Sequence, residues 1–139
     1  MIDYISAGDD VSFKREIDAL HCFGLNYKAY RRAMAWHPYE KDKSIWFPKF
    51  YKNPKWDNKI SADGKFIYEK RKVDNEGFIK GCLLEDRAAM LRRIVFAREA
   101  DESGKLMYVL KGVFDVDKRA TKECGEVVHK KIADKVKTY

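Results

Sequence analysis

The chain has 139 residues, 45 % hydrophobic and 37 % charged, a balance that fits one folded domain (residues 1–139) and excludes a disordered tail or a fibrous repeat. Its 29 Lys and Arg against 22 Asp and Glu leave a net charge of +7, which suits a polyanionic partner. Cys22, Cys82 and Cys124 are too few and too dispersed for a disulfide scaffold or a zinc site, and no apolar run reaches the roughly 18 residues of a membrane span.

Residues 1–8 read as a lead-in ending at Gly8. Asp9 or Asp10 can cap a helix in which Val11, Phe13, Ile17 and Leu20 recur near a helical period, and Gly24 stops it. Residues 26–36 (NYKAYRRAMAW) break strict alternation at Arg31-Arg32-Ala33 and read as helix or helical turn with a basic face. Pro38 and the following charged run make a loop.

Ile45 to Phe50 reads as a strand whose Pro48 confines it to a sheet edge or a strand end. Asn53-Pro54 marks a turn, and Asp63-Gly64 turns a hairpin into the strand Phe66-Ile67-Tyr68. Lys70 to Lys80 is polar and reads as a loop, and Leu83 to Leu91 as a short helix. Ile94 to Ala97 is a buried strand, Glu99 to Gly104 a loop, and Leu106 to Val116 the clearest strand. Gly112 within it predicts a bulge or a close backbone approach. Glu126 to Tyr139 admits helix or strand; a strand paired with Leu106 to Val116 is the preferred reading. The expected fold is α+β: a strongly bent, mainly antiparallel sheet or partial β-barrel with two or three flanking helices.

Chemistry concentrates between Ser44 and Tyr68, which holds two of the three tryptophans among interleaved lysines. Neighbouring strand residues face opposite ways, so Trp46, Phe47, Phe50 and Tyr51 cannot share one core. Either both sheet faces are covered or some rings line a cleft. Most of these rings belong to a core, yet an aromatic-floored, cation-rimmed cleft is what nucleic acid requires. The candidate contacts are Arg31, Arg32, Trp46, Lys49, Tyr51, Lys52, Lys55, Trp56, Asn58, Lys59 and Asp63. His21, His37 and His129 fall in no metal or catalytic spacing, and no phosphate-cradling glycine motif occurs. No metal or other cofactor is expected.

The arrangement of RRIVFARE (92–99) followed by a hairpin into YVLKGVFDVD (108–117) resembles the small barrels of the PUA-like group, which includes the SRA-type readers of modified bases. Asp63-Gly64 preceded by aromatics is loosely similar to that family's signature. The resemblance covers about a third of the chain and assigns no individual pocket residue. It implies a pocket for one flipped base, read by stacking and by hydrogen bonds to its edge.

The leading expectation is therefore non-catalytic nucleic-acid binding, DNA favoured over RNA, as a modified-base reader or a defence or counter-defence factor. A metal-dependent nuclease using Asp57, Asp63 and Glu69 beside Lys70 or Arg71 is an alternative. A module docking an acidic protein partner is another. No membrane association is expected, and with no basic-then-apolar leader in view the expected setting is cytoplasmic.

Overall fold

The structure, a computed structural model, describes residues 3–26 and 32–139. The chain runs β1 (Tyr4–Ser6), a 3-10 turn (Ala7–Asp9), β2 (Ser12–Phe13), α1 (Glu16–His21), β3 (Met34–Trp36), β4 (Ser44–Trp46), β5 (Trp56–Ile60) and β6 (Phe66–Arg71). It continues through α2 (Asn75–Leu84), α3 (Ala88–Leu91), β7 (Arg92–Ala100), β8 (Leu106–Val116), α4 (Lys118–Cys124), β9 (Val127–Ala133) and β10 (Lys135–Lys137).

The main sheet has the order β3-β4-β7-β8-β9-β6-β5, with β2 added on β8, and β1 pairs with β10 in a separate ribbon. Among the described residues the strands pair antiparallel except β4 with β7, a parallel pairing continued by the bridge of Lys49 with Arg98. Alternation sends Ile45, Phe47, Ile94 and Phe96 to one face, where they pack with Ile17, Leu20 and Phe23 around α1. It sends Trp46, Val95 and Ala97 to the other face, where they meet Phe114, Ile67, Met34 and Ile60. That second core joins residues from both ends of the strand order. The sheet is therefore bent until its ends face each other, as an open partial barrel. Both faces are covered, which is how Trp46 and Phe47, adjacent in sequence, are each buried.

Gly112 causes the bend locally. Val95 registers with Gly112 but Phe96 with Leu110, so Lys111 is an extra residue. Gly112 has φ +119° and a side chain there would lie 2.6 Å from the carbonyl oxygen of Ala133. Both sequence expectations, bulge and close approach, hold at this one residue. The Asp63-Gly64 hairpin and the pairing of β9 with β8 also agree with the sequence reading.

Several elements differ. The first helix is only Glu16–His21, because Ser12 and Phe13 give their backbone to Val109 and Tyr108 of β8. Met34–Trp36 is a strand against β4, not helix; the rest of the basic stretch around Arg31 lies largely outside the described residues. β4 is internal, flanked by β3 and β7, rather than an edge. The other expectation for Pro48, a strand end, holds, since β4 stops at Trp46. The polar stretch read as a loop contains α2, started by Asp74, whose side chain accepts from the Gly77 amide. The predicted 83–91 helix divides into the end of α2 and the single turn α3.

Candidate functional site

The open seam of the barrel, between β3–β4 and β5–β6, holds a cavity of about 230 Å³ lined by Ala33, Trp46, Phe47, Pro48, Lys49, Asn53, Lys55, Trp56, Asn58 and Glu69. This is below the ~300–1,000 Å³ of sites for drug-sized ligands and suits one small planar ring. Strand alternation builds the wall on β5, where Trp56 and Asn58 face inward and Asp57 faces outward. Asn58 registers with Glu69 on β6, so these two polar side chains stand beside each other in the cavity. Asn53 fixes the entry to β5 by accepting from the Lys55 and Trp56 amides at 2.9 and 3.3 Å. Trp56 meets Phe78 of α2 edge-on at 5.0 Å.

Behind the cavity lies a buried charge cluster. The Glu69 carboxylate is 2.8 Å from His129 Nε2 and 3.7 Å from Arg93 Nη1. The Arg93 guanidinium lies 4.6 Å over the Trp46 ring, and the His129 ring is 4.8 Å from it. Arg93 Nε also donates to the Met90 carbonyl. Burial works against the charge of Glu69, but the hydrogen bond from His129 and the Arg93 charge more than offset it, and its carboxyl is held below the ordinary range. Burial likewise pushes His129 below its ordinary value, against the pull of Glu69. The consistent state is ionised Glu69, cationic Arg93 and neutral His129 donating from Nε2. The Cys82 thiol is pushed up to about 11, by burial first and then by the Glu69 charge.

Two buried polar atoms at or near this site, Asn58 Oδ1 and His129 Nδ1, have no hydrogen-bond partner among the described residues. A buried acceptor without a partner is costly, and Asn58 lines the cavity.

Of the sequence-predicted contacts, Trp46, Lys49, Lys55, Trp56 and Asn58 converge on the cavity. Tyr51 and Lys52 are exposed on the same connection, where Tyr51 Oη accepts from Arg98 at 3.3 Å. Lys59 faces outward from β5, 4.0 Å from Glu126. Asp63 lies in the hairpin turn, accepting from Ser61 Oγ and the Lys65 amide, away from the cavity. Arg32 is exposed just before β3, and Arg31 lies outside the described residues.

The three acids of the nuclease alternative do not converge: Asp57 is outward, Asp63 is in the turn, and Glu69 is inward with His129 and Arg93. Among the described residues no three His, Cys, Asp or Glu are grouped to hold a metal ion, and no helix is long and apolar enough to cross a membrane. Sequence reasoning missed Arg93, His129 and Asn53 as parts of the site. Arg93 and His129 carried no spacing signal, because only the curled sheet brings β7, β9 and β6 together.

Among curated proteins no sequence match is found. Among solved structures, the 5-hydroxymethylcytosine-specific restriction enzyme AbaSI is similar with a TM-score of 0.84 and 39 % identity, over 98 % of this chain and 42 % of that one. The chain thus corresponds to less than half the length of that enzyme. Residues 2–138 match the family model of the SET and RING associated domain, SRA. With the match running over nearly every residue and the curled sheet enclosing a small polar-and-aromatic cavity, the chain belongs to the SRA family.

Proposed function

We propose that this domain binds DNA and takes one modified base of the cytosine type into the seam cavity. The observation that carries this reading is the ionised Glu69 beside the unpartnered Asn58 Oδ1 in a cavity walled by tryptophan. A carboxylate accepts hydrogen bonds and donates none, and on the pairing edge of cytosine, where N3 and O2 accept, the exocyclic amine is the donor it matches. Trp46 and Trp56 supply ring contact for a base that has left its stack. Lys49 and Lys55 at the rim, with Lys52 beside them, supply positive charge for the adjoining phosphates.

The similarity to the 5-hydroxymethylcytosine-specific restriction enzyme AbaSI supports the choice of a modified cytosine. The proposal assigns binding to this chain and no bond-breaking step; a place in the restriction of modified DNA, or in its evasion, is the biological setting it fits. The test is a titration of the protein with duplexes that differ only in one base, 5-hydroxymethylcytosine or plain cytosine. Tighter binding of the modified duplex by the parent is the expected result. Glu69→Ala and Trp56→Ala should weaken both duplexes, because the amine and the ring face they contact are common to the two bases, and Trp56→Ala should do so with melting preserved. Equal binding of both duplexes by the parent protein overturns the reading.

A further inference from the structure

The buried cluster behind the cavity is more than the barrel needs for packing. His129 registers with Ile67, which makes Glu69 its diagonal neighbour on the same inward face of β6 and β9. From there its Nε2 reaches one carboxylate oxygen, Oε1, at 2.8 Å, while the Glu69 side chain still borders the cavity. Arg93 approaches the same Oε1 from β7 at 3.7 Å. One oxygen is thus tied back into the protein by a donor and a cation.

We propose that His129 is a positioning residue that keeps Glu69 an acceptor, so that the cavity takes a pyrimidine with an amine at position 4 and refuses one with a carbonyl there. This rests on the base-reading assignment above. A neutral carboxylic acid in the same place carries an O–H and can donate to a carbonyl as readily as it accepts from an amine. A carboxylate set against position 4 rather than N3 cannot donate to that carbonyl, and the two oxygens repel. Discrimination between the two base types is therefore set by whether Glu69 holds a proton, and a buried carboxyl stripped of its donors takes one up. The titratable and charged groups around Glu69 are His129 on β9, Arg93 on β7 and Cys82 on α2, with Lys49 and Lys55 at the rim. Asp115 on β8 adds a negative charge that acts on His129.

The experiment compares duplexes carrying one 5-hydroxymethylcytosine or one 5-hydroxymethyluracil, which share the 5-substituent and differ at position 4. Binding is measured from pH 8 to pH 5 for the parent, His129→Gln and His129→Leu, with melting temperatures alongside. The parent is expected to favour the cytosine form by on the order of ten- to a hundredfold, the worth of one good base contact, and to keep that ratio across the range. His129→Gln, whose amide can still donate, is expected to keep it as well. His129→Leu is expected to start with a smaller ratio and to approach parity by pH 5. If His129→Leu folds and keeps the parental ratio throughout, His129 is structural and the inference is wrong. If that variant does not fold, His129→Met, which is flexible, fills the space and likewise donates nothing, takes its place under the same criterion, and loss of the parent's own preference within this pH range also overturns the inference. If the parent binds the hydroxymethylcytosine duplex no better than an unmodified one, the base-reading assignment itself fails, and this inference with it.

Discussion

Trp46 and Trp56 border the same cavity and differ in what holds them. Trp46 is 5 % exposed, sandwiched among Arg93, His129 and the second core. Trp56 is half-buried and leans on Phe78. Trp46→Ala should therefore cost about 3–5 kcal/mol of stability, the range for emptying a large core site. Trp56→Ala should leave the fold in place and cost about 1–3 kcal/mol of nucleic-acid binding, the worth of a base stack. Chemical denaturation and duplex titration of the two variants separate these outcomes. Reversed behaviour would exchange their roles.

Glu69 and His129 also make stability depend on pH. In the unfolded chain each takes a proton near its ordinary value; in the fold each resists it. The unfolded state then binds more protons, so stability falls as the solution is acidified. The first decline belongs to His129, with His37 adding to it because burial lowers that histidine too. The second, from Glu69, follows below the ordinary glutamate range. Melting temperature should drop from pH 7 to pH 4, and His129→Gln should flatten the upper part of the curve. A parental melting temperature that is level over this range contradicts the assigned protonation states.

Among the elements, legibility in the sequence tracks burial. β7 and β8 were readable because each carries a buried apolar stretch rich in β-branched and aromatic residues, Ile94 to Ala97 in one and Leu110 to Phe114 around Gly112 in the other. The β5–β6 hairpin was readable because Asp63-Gly64 has turn chemistry, with Gly64 at φ +73°. α2 was not, since none of its residues is fully buried and no apolar stripe marks its face. β3 was missed for a different reason: tertiary pairing with β4 overrides a helix-compatible sequence. For the site, the aromatic and lysine residues announced themselves by composition. Glu69 was visible only as an acid of the nuclease alternative, and its partners on β7 and β9 are remote in sequence.

The same scale carries a prediction for β8. Gly112 combines left-handed backbone with a carbonyl where a Cβ would go. Gly112→Ala should destabilise the domain by roughly 1–3 kcal/mol through strain and a forced shift of β9. A variant melting with the parent would mean that β9 yields freely there, and the bend of the sheet would need another cause.

At the scale of the whole molecule, the surplus of positive charge is useful only where it can meet phosphate. Lys49 and Lys55 sit at the cavity rim, and changing both to Ala should weaken binding to all duplexes alike. The slope of log affinity against log salt should fall by about one to two units. An unchanged slope would place the phosphate contacts elsewhere on the surface.

The parallel pairing of β4 with β7 has a consequence for how the domain opens. Ser44–Trp46 must find Arg93–Val95 across a long stretch of chain that contains the β5–β6 hairpin and two helices. Such a pairing costs much loop-closure entropy. Burial offsets it: Ser44, Ile45 and Trp46 are all buried, and their side chains enter both cores, so this wall opens only with the rest of the sheet. The opposite wall has less to lose, because β5 is held by β6 alone and none of its residues is fully buried. Native-state hydrogen exchange should show the β5 amides that bond to β6 exchanging through a low-energy opening, while Ile45, Ile94 to Ala97 and Leu110 to Phe114 exchange only through global unfolding. That opening carries Trp56 and Asn58 away from Trp46, so the cavity would come apart and reassemble in the folded protein many times for each complete unfolding.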